Sequence, residues 1–426
     1  MSTLQRISSQ CVRSYRTSLG SSMSRRGTQV KLQPRLQPVR IVAKNAPFSS
    51  YAPTRRIQIP PLPIALCVFG FGCLGFGLYQ YFTSDIQKYP VPVRQALRKA
   101  LYYENYGNDP SLAEDYYKQA LELALAGEEL ENHSRYVSGI MIQYGTLLEQ
   151  QGKPREARDV LTNCISLILH INKEDAANFV KNVDLAQTEL DGEDRMKALG
   201  IAQKLGDLNV QLKDDAAAEK WYNWSVEQMF KSTLPNANGS GMELDAKEKL
   251  FNAENMPKWL TKTDVGASME ALAAFYAERR KYDFALPLYL RSLTLYPAVR
   301  EECHAAVLMC NVSEVFAGMG QYQEAIKWAE DGIELAKNPN TGKKAGDDRR
   351  ICDEALGVLL HNIGMVYEQT GDMQGALVYY NRCRKHAQDL KLVATKREAE
   401  VALKRVKLND QAAVESGRSS MFDQKL

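Results

Sequence analysis

The chain has 426 residues, 45% hydrophobic and 25% charged, the proportions of a folded protein long enough for one large or two modest domains. Its net charge of +3 hides a division: eleven Lys and Arg precede residue 85 with no acid among them, whereas residues 85–426 carry 43 basic against 51 acidic side chains. That acidic balance leaves no basic stripe to neutralise phosphates, which excludes nucleic acid as a partner of the folded part.

Residues 1–56 contain fourteen Ser or Thr. Leu4, Ile7, Cys11 and Tyr15 recur at helical spacing, with Arg6, Arg13 and Arg16 among the intervening positions, so the start reads as a basic amphipathic helix. This is the composition of a mitochondrial transit peptide, whereas a secretory signal would place a short apolar core here. The competing reading is a disordered basic arm for anionic lipid or nucleic acid.

Residues 64–82 form an uncharged apolar run. At about 1.5 Å per residue its nineteen positions make a helix of roughly 28 Å, close to the thickness of a bilayer's hydrocarbon layer. Gly70, Gly72 and Gly75 match the GxGxxG letters of a dinucleotide site, but the run lacks the preceding strand, the helix opening at the glycines and the acid some twenty residues on. Gly70, Cys73 and Gly77 instead share one face, where small residues let another membrane helix approach. Arg55 and Arg56 before the span place the N-terminus in the matrix and the rest in the intermembrane space. Lys88, Arg94, Arg98 and Lys99 beyond it pull the other way.

From residue 94 to 407 the chain repeats. A tetratricopeptide unit asks for a small residue at positions 8, 20 and 27, where its two helices approach, and a large one at 24. Six units fit. They start near Arg94 (Leu101, Ala113, Tyr117, Ala120), Ser138 (Gly145, Ala157, Leu161, Cys164), Leu199 (Gly206, Ala218, Tyr222, Ser225), Gly266 (Ala273, Ala285, Tyr289, Ser292), Ala306 (Phe316, Ala325, Ala329, Gly332) and Gly357 (Gly364, Ala376, Tyr380, Cys383). Their spacing exceeds 34 residues, so irregular segments intervene: an insertion near 234–262 and a charged loop at 338–350. Residues after Val393 read as a capping helix, and 408–426 as a disordered tail. The predicted fold is an all-α tetratricopeptide-repeat solenoid of about six helix pairs behind a single N-terminal transmembrane helix.

Eight cysteines, without CxxC pairs or the spacing of a disulfide scaffold, predict mostly free thiols. Cys303 and Cys310, seven apart, read as core packing. HExxH, GxSxG and P-loop motifs are absent, and the five histidines lack metal-ligand spacing. The expectation is therefore no enzyme, no catalytic residue, no metal and no cofactor. The working surface of such a fold is the groove lined by the first helix of each unit. Its predicted lining is Ile142, Gln143, Thr146, Gln203, Lys204, Asp207, Glu270, Ala274, Asn311, Glu314, His361, Asn362 and Met365, a mixed polar and apolar set suited to extended peptide segments.

An acid-free presequence, one glycine-rich span and widely spaced repeats beginning Tyr89-Pro-Val-Pro-Val-Arg-Gln-Ala-Leu-Arg-Lys-Ala-Leu-Tyr-Tyr resemble the fungal tetratricopeptide adaptor subunit of the mitochondrial i-AAA protease supercomplex. The resemblance implies a single-pass protein of the inner membrane with its repeats in the intermembrane space. It also implies as partners the AAA protease and a second adaptor subunit, with unfolded proteins as the cargo delivered for degradation. Two other readings share parts of this pattern: an outer-membrane import receptor, and an assembly or quality-control factor of the respiratory chain.

Overall fold

The computed structural model describes residues 61–126, 133–171, 185, 188–233, 256–296, 302–337 and 347–415. The expected transit segment 1–56, residues 234–255 of the expected insertion, 338–346 of the charged loop and 416–426 of the expected tail lie outside these. Fourteen α-helices account for most of the described residues, and the chain divides after Tyr136 into two units.

The first unit opens with α1 (Pro61–Thr83). Proline is tolerated in a first helical turn, where its missing N–H would have no partner, so Pro61 and Pro63 start this helix without breaking it. Its described side chains are exposed throughout, with Phe71 at 75% and Phe82 at 70%. Among the described residues a β-carbon at Gly70, Gly72, Gly75 or Gly77 would meet nothing within 4 Å. Among the described residues no helix is long and apolar enough to cross a membrane; the side chains of residues 61–65 and 67 in α1 lie outside that set.

A short 3₁₀ turn at Asp85–Lys88 leads into α2 (Val91–Tyr102), which buries Val93, Ala96, Leu97 and Ala100 against α3 (Pro110–Ala126). Between the two lies a wider π turn, Tyr103–Gly107, closed by Asn108 in the left-handed region. Asp109 then caps α3, accepting from the Leu112 amide at 3.1 Å. Ala113, Tyr117 and Ala120 of α3 are buried, as expected of a second helix.

The second unit contains five further pairs. These are α4 (His133–Gln150) with α5 (Pro154–Ile168), α6 (Gly192–Gln211) with α7 (Asp215–Thr233), α8 (Lys262–Glu278) with α9 (Tyr282–Leu295), α10 (Glu302–Gly318) with α11 (Tyr322–Lys337), and α12 (Asp347–Thr370) with α13 (Met373–Asp389). Then α14 (Val393–Glu415) covers the last pair; it runs past the tail boundary expected at 407. The described end of the insertion is ordered by a reciprocal cap: Thr261 and Asp264 each bond the other's backbone N–H, so α8 starts at a fixed point.

Three of the predicted close approaches are visible atom by atom. A β-carbon at Gly145 would lie 2.9 Å from Leu161, at Gly206 2.7 Å from Tyr222, and at Gly364 2.8 Å from Tyr380, so position 8 must be empty for position 24 to fill. Position 27 does more than stay small. Its side chain donates a hydrogen bond to the carbonyl of position 1: Cys164 to Ser138 at 3.5 Å, Ser292 to Gly266 at 2.9 Å, and Cys383 to Gly357 at 3.2 Å. Burial pushes the Cys164 and Cys383 thiols up to about 12, so they remain protonated donors.

Six turns share one device. The residues Gly152, His170, Lys213, Arg280, Gly320 and Lys391 take positive φ, and the amide of the residue that follows bonds back across the turn, as in Lys153 to Leu148 and Gln321 to Phe316. Glycine adopts this conformation freely; His170, Lys213, Arg280 and Lys391 adopt it at a cost of about 1 kcal/mol each.

The expectation of free thiols needs correction at one pair. Cys303, at the start of α10, is disulfide-bonded to Cys352 in α12, and only Cys310 of the expected helix-face pair is a free core thiol. The two partners sit 49 residues apart, and it is the parallel placement of two first helices that brings them together.

Candidate functional site

Side chains reach between the first helices of successive pairs, and of the predicted groove residues Gln203, Lys204, Glu270 and Asn362 take part. Between α4 and α6, Lys204 Nζ lies 2.5 Å from Glu149, which also accepts from Gln211 at 3.0 Å. Between α6 and α8, Gln203 donates to the Ser268 hydroxyl. Between α8 and α10, His304 Nε2 approaches Glu270 Oε2 to 2.9 Å, with the His304 ring packed on Tyr296. Between α10 and α12, Asn362 donates to Cys310 Sγ at 3.3 Å, beside the Cys303–Cys352 bond.

The predicted lining divides by burial. Glu270, Ala274, Asn311, His361, Asn362 and Met365 are buried, whereas Ile142, Gln143, Thr146, Gln203, Lys204, Asp207 and Glu314 keep partial exposure. Gln203, Lys204, Glu270 and Asn362 thus act as fasteners between units. Asp207 fastens within its own unit, accepting from the Tyr222 hydroxyl.

Three of the predicted residues still converge on open space. Glu314, Asn362 and Met365 line a shallow recess of about 220 Å³, counted with its open mouth, together with Ser313, Ala317, Val366 and Gln369. All seven belong to α10 and α12. The exposed lining is almost wholly apolar, and the enclosed part has room for about one water molecule.

The recess is backed by a polar cluster that sequence reasoning missed. Glu368 accepts from Nε and Nη2 of Arg405 in α14, at 2.8 and 2.7 Å, and from the Tyr380 hydroxyl at 2.6 Å. Burial works to raise the Glu368 carboxyl, but these hydrogen bonds outweigh it and hold the group below its ordinary value. Burial, aided by the charge of Arg405, lowers His361 to about 4, so its ring is neutral against Tyr380. The signal available in the sequence was the acid in the first helix and the position-24 tyrosine; the same bond recurs between Tyr117 and Glu104 at 2.7 Å. Among the described residues no cluster of His, Cys, Asp or Glu could hold a metal ion.

Tetratricopeptide-repeat family models match residues 264–338 and 358–384, the stretches that contain α8 to α11 and most of α12 and α13. No curated protein matches the chain in sequence. Among solved structures, that of BtubC (BKLC) from P. vanneervenii is similar at 14% identity over 72% of this chain and 93% of its own, with a TM-score of 0.40. The MamA protein is similar at 12% identity over 60% and 98%, with a TM-score of 0.37. The nearly identical repeats of a kinesin light chain from Podosopora anserina are similar at 14% identity over 62% and 99%, with a TM-score of 0.40. Two stretches of the chain thus match tetratricopeptide repeats at the sequence level, and its second unit is built from paired helices.

Proposed function

We propose that the protein is a membrane-anchored adaptor that binds the i-AAA protease of the mitochondrial inner membrane, together with a second adaptor subunit, and presents unfolded membrane or intermembrane-space proteins for degradation. Repeats of this class bind protein partners along their stacked first helices. The observation that carries the anchored part of the reading is α1: 23 residues without a charge, described side chains exposed, and nothing among the described residues packed on its glycines, directly ahead of the repeats. A helix with such a surface is stable in lipid and costly in water. The resemblance of residues 89–103 supplies the partner.

The Cys303–Cys352 bond supports the intermembrane-space placement, because structural disulfides persist in oxidising compartments and are rare in reducing ones. The α10–α12 recess is the first place to look for cargo.

Protease protection of a C-terminally tagged chain tests the reading. Digestion only after osmotic rupture of the outer membrane is expected, followed by co-purification of the AAA protease. Digestion in intact mitochondria would make the protein an outer-membrane receptor, and protection in both would place the repeats in the matrix.

A further inference from the structure

The face of α2 turned away from α3 has a composition of its own. Val91, Arg98, Tyr102 and Tyr106 recur at helical spacing, opposite the buried stripe of Val93, Ala96, Leu97 and Ala100. Val91, Tyr102 and Tyr106 are 54%, 57% and 72% exposed, and the last two rings stack on each other at 6.3 Å. The stretch from Ser84 to Tyr106 holds Lys88, Arg94, Arg98 and Lys99 against Asp85 and Glu104. It is thus a locally basic segment in a part of the chain that is otherwise acidic.

This face is held against the end of α1. The guanidinium of Arg98 lies 5.0 Å over the ring of Tyr81, Gln87 donates to the Tyr81 carbonyl at 3.2 Å, and Arg94 donates to the Gln87 side chain at 2.7 Å. Arg98 and Tyr102 are one turn apart, so the tyrosine pair continues the line that begins at the last aromatics of α1, Tyr79, Tyr81 and Phe82.

Tyrosine, with an apolar ring and a polar tip, partitions to the headgroup layer, and Lys or Arg beside it is drawn to anionic lipid. The geometry points to α2 and its π turn as a second, interfacial membrane contact, in which Tyr102 and Tyr106 enter the headgroup layer of the bilayer that α1 spans and Arg98 and Lys99 meet anionic phospholipid. This rests on the reading of α1 as a span. The wide turn at Tyr103–Gly107 then has a use: it carries Tyr106 outward on the same side as Tyr102 before the chain reverses into α3.

The test uses the full chain with benzoylphenylalanine at Phe71 or at Tyr106, reconstituted into phosphatidylcholine vesicles with or without phosphatidylglycerol, irradiated and analysed by mass spectrometry. Phospholipid adducts are expected at both positions. The yield at residue 106 should rise with phosphatidylglycerol and fall severalfold in Arg98→Gln/Lys99→Gln. Adducts at residue 71 alone, or a protein adduct at residue 106, would overturn the interfacial contact and leave the span standing. Absence of lipid at both positions would overturn the two together.

Discussion

Tyr380 stands where a β-carbon on Gly364 would have to be, 2.8 Å from the ring carbons. The ring cannot swing aside, because Glu368 holds its hydroxyl at 2.6 Å and His361 packs on its face. Gly364→Ala should therefore cost about 1–3 kcal/mol, as other overpacked cores do. Gly200, on the open side of α6, meets nothing within reach, and Gly200→Ala should be neutral or stabilise by up to about 1 kcal/mol. Urea unfolding of the two variants checks the contrast, which a general intolerance of substitution would erase.

The Cys303–Cys352 bond closes a loop of 49 residues and should contribute about 2–4 kcal/mol by limiting the unfolded chain. Peptide mapping without reductant should recover the two cysteines linked. Reduction, or Cys352→Ser, should lower the unfolding midpoint reported from α10 to α14 while leaving the earlier pairs less affected. Equal melting before and after reduction would contradict a structural role.

His361 makes stability depend on pH. Its folded value is depressed to about 4 by burial, against about 6.5 when unfolded, so above pH 6.5 both states are neutral and the group has no effect. Below 6.5 the unfolded chain takes up a proton that the folded chain refuses. Stability should then decline by up to roughly 3 kcal/mol as pH falls towards 4. The difference in urea midpoint between the native chain and His361→Gln, followed across that range, isolates this contribution; a difference that does not change with pH would remove it.

Removal of α14 should expose Tyr380 and Met365, which pack against Ala402, Leu403 and Val406, and should strip Glu368 of Arg405. A chain ending before Val393 is expected to lose the α12–α13 pair first, at lower denaturant than the remaining pairs, because each unit of a repeat array is stabilised by its neighbours. Hydrogen exchange over residues 357–389 reads this directly. Protection there equal to that in the intact chain would show that α14 is dispensable.

The pairs were legible because the contacts that define them are local. Gly206 with Tyr222, or Ser292 with the Gly266 carbonyl, falls within one unit at a fixed spacing, so sterics alone set the residue types. What joins one pair to the next was not legible. Lys204 with Glu149, Glu270 with His304 and Cys303 with Cys352 depend on how irregular segments of differing length bring first helices side by side. Lys204 and Glu270 read as groove residues in the sequence because polarity at a helical position does not say whether water or another helix answers it. Glu314, Asn362 and Met365, also read so, line the recess between α10 and α12.

A covalent tie between α10 and α12 also changes what happens when the chain is pulled from its C-terminal end. Unthreading proceeds one strand at a time only as far as Cys352; beyond it, the stretch back to Cys303 must follow as a doubled strand until a reductant cuts the link.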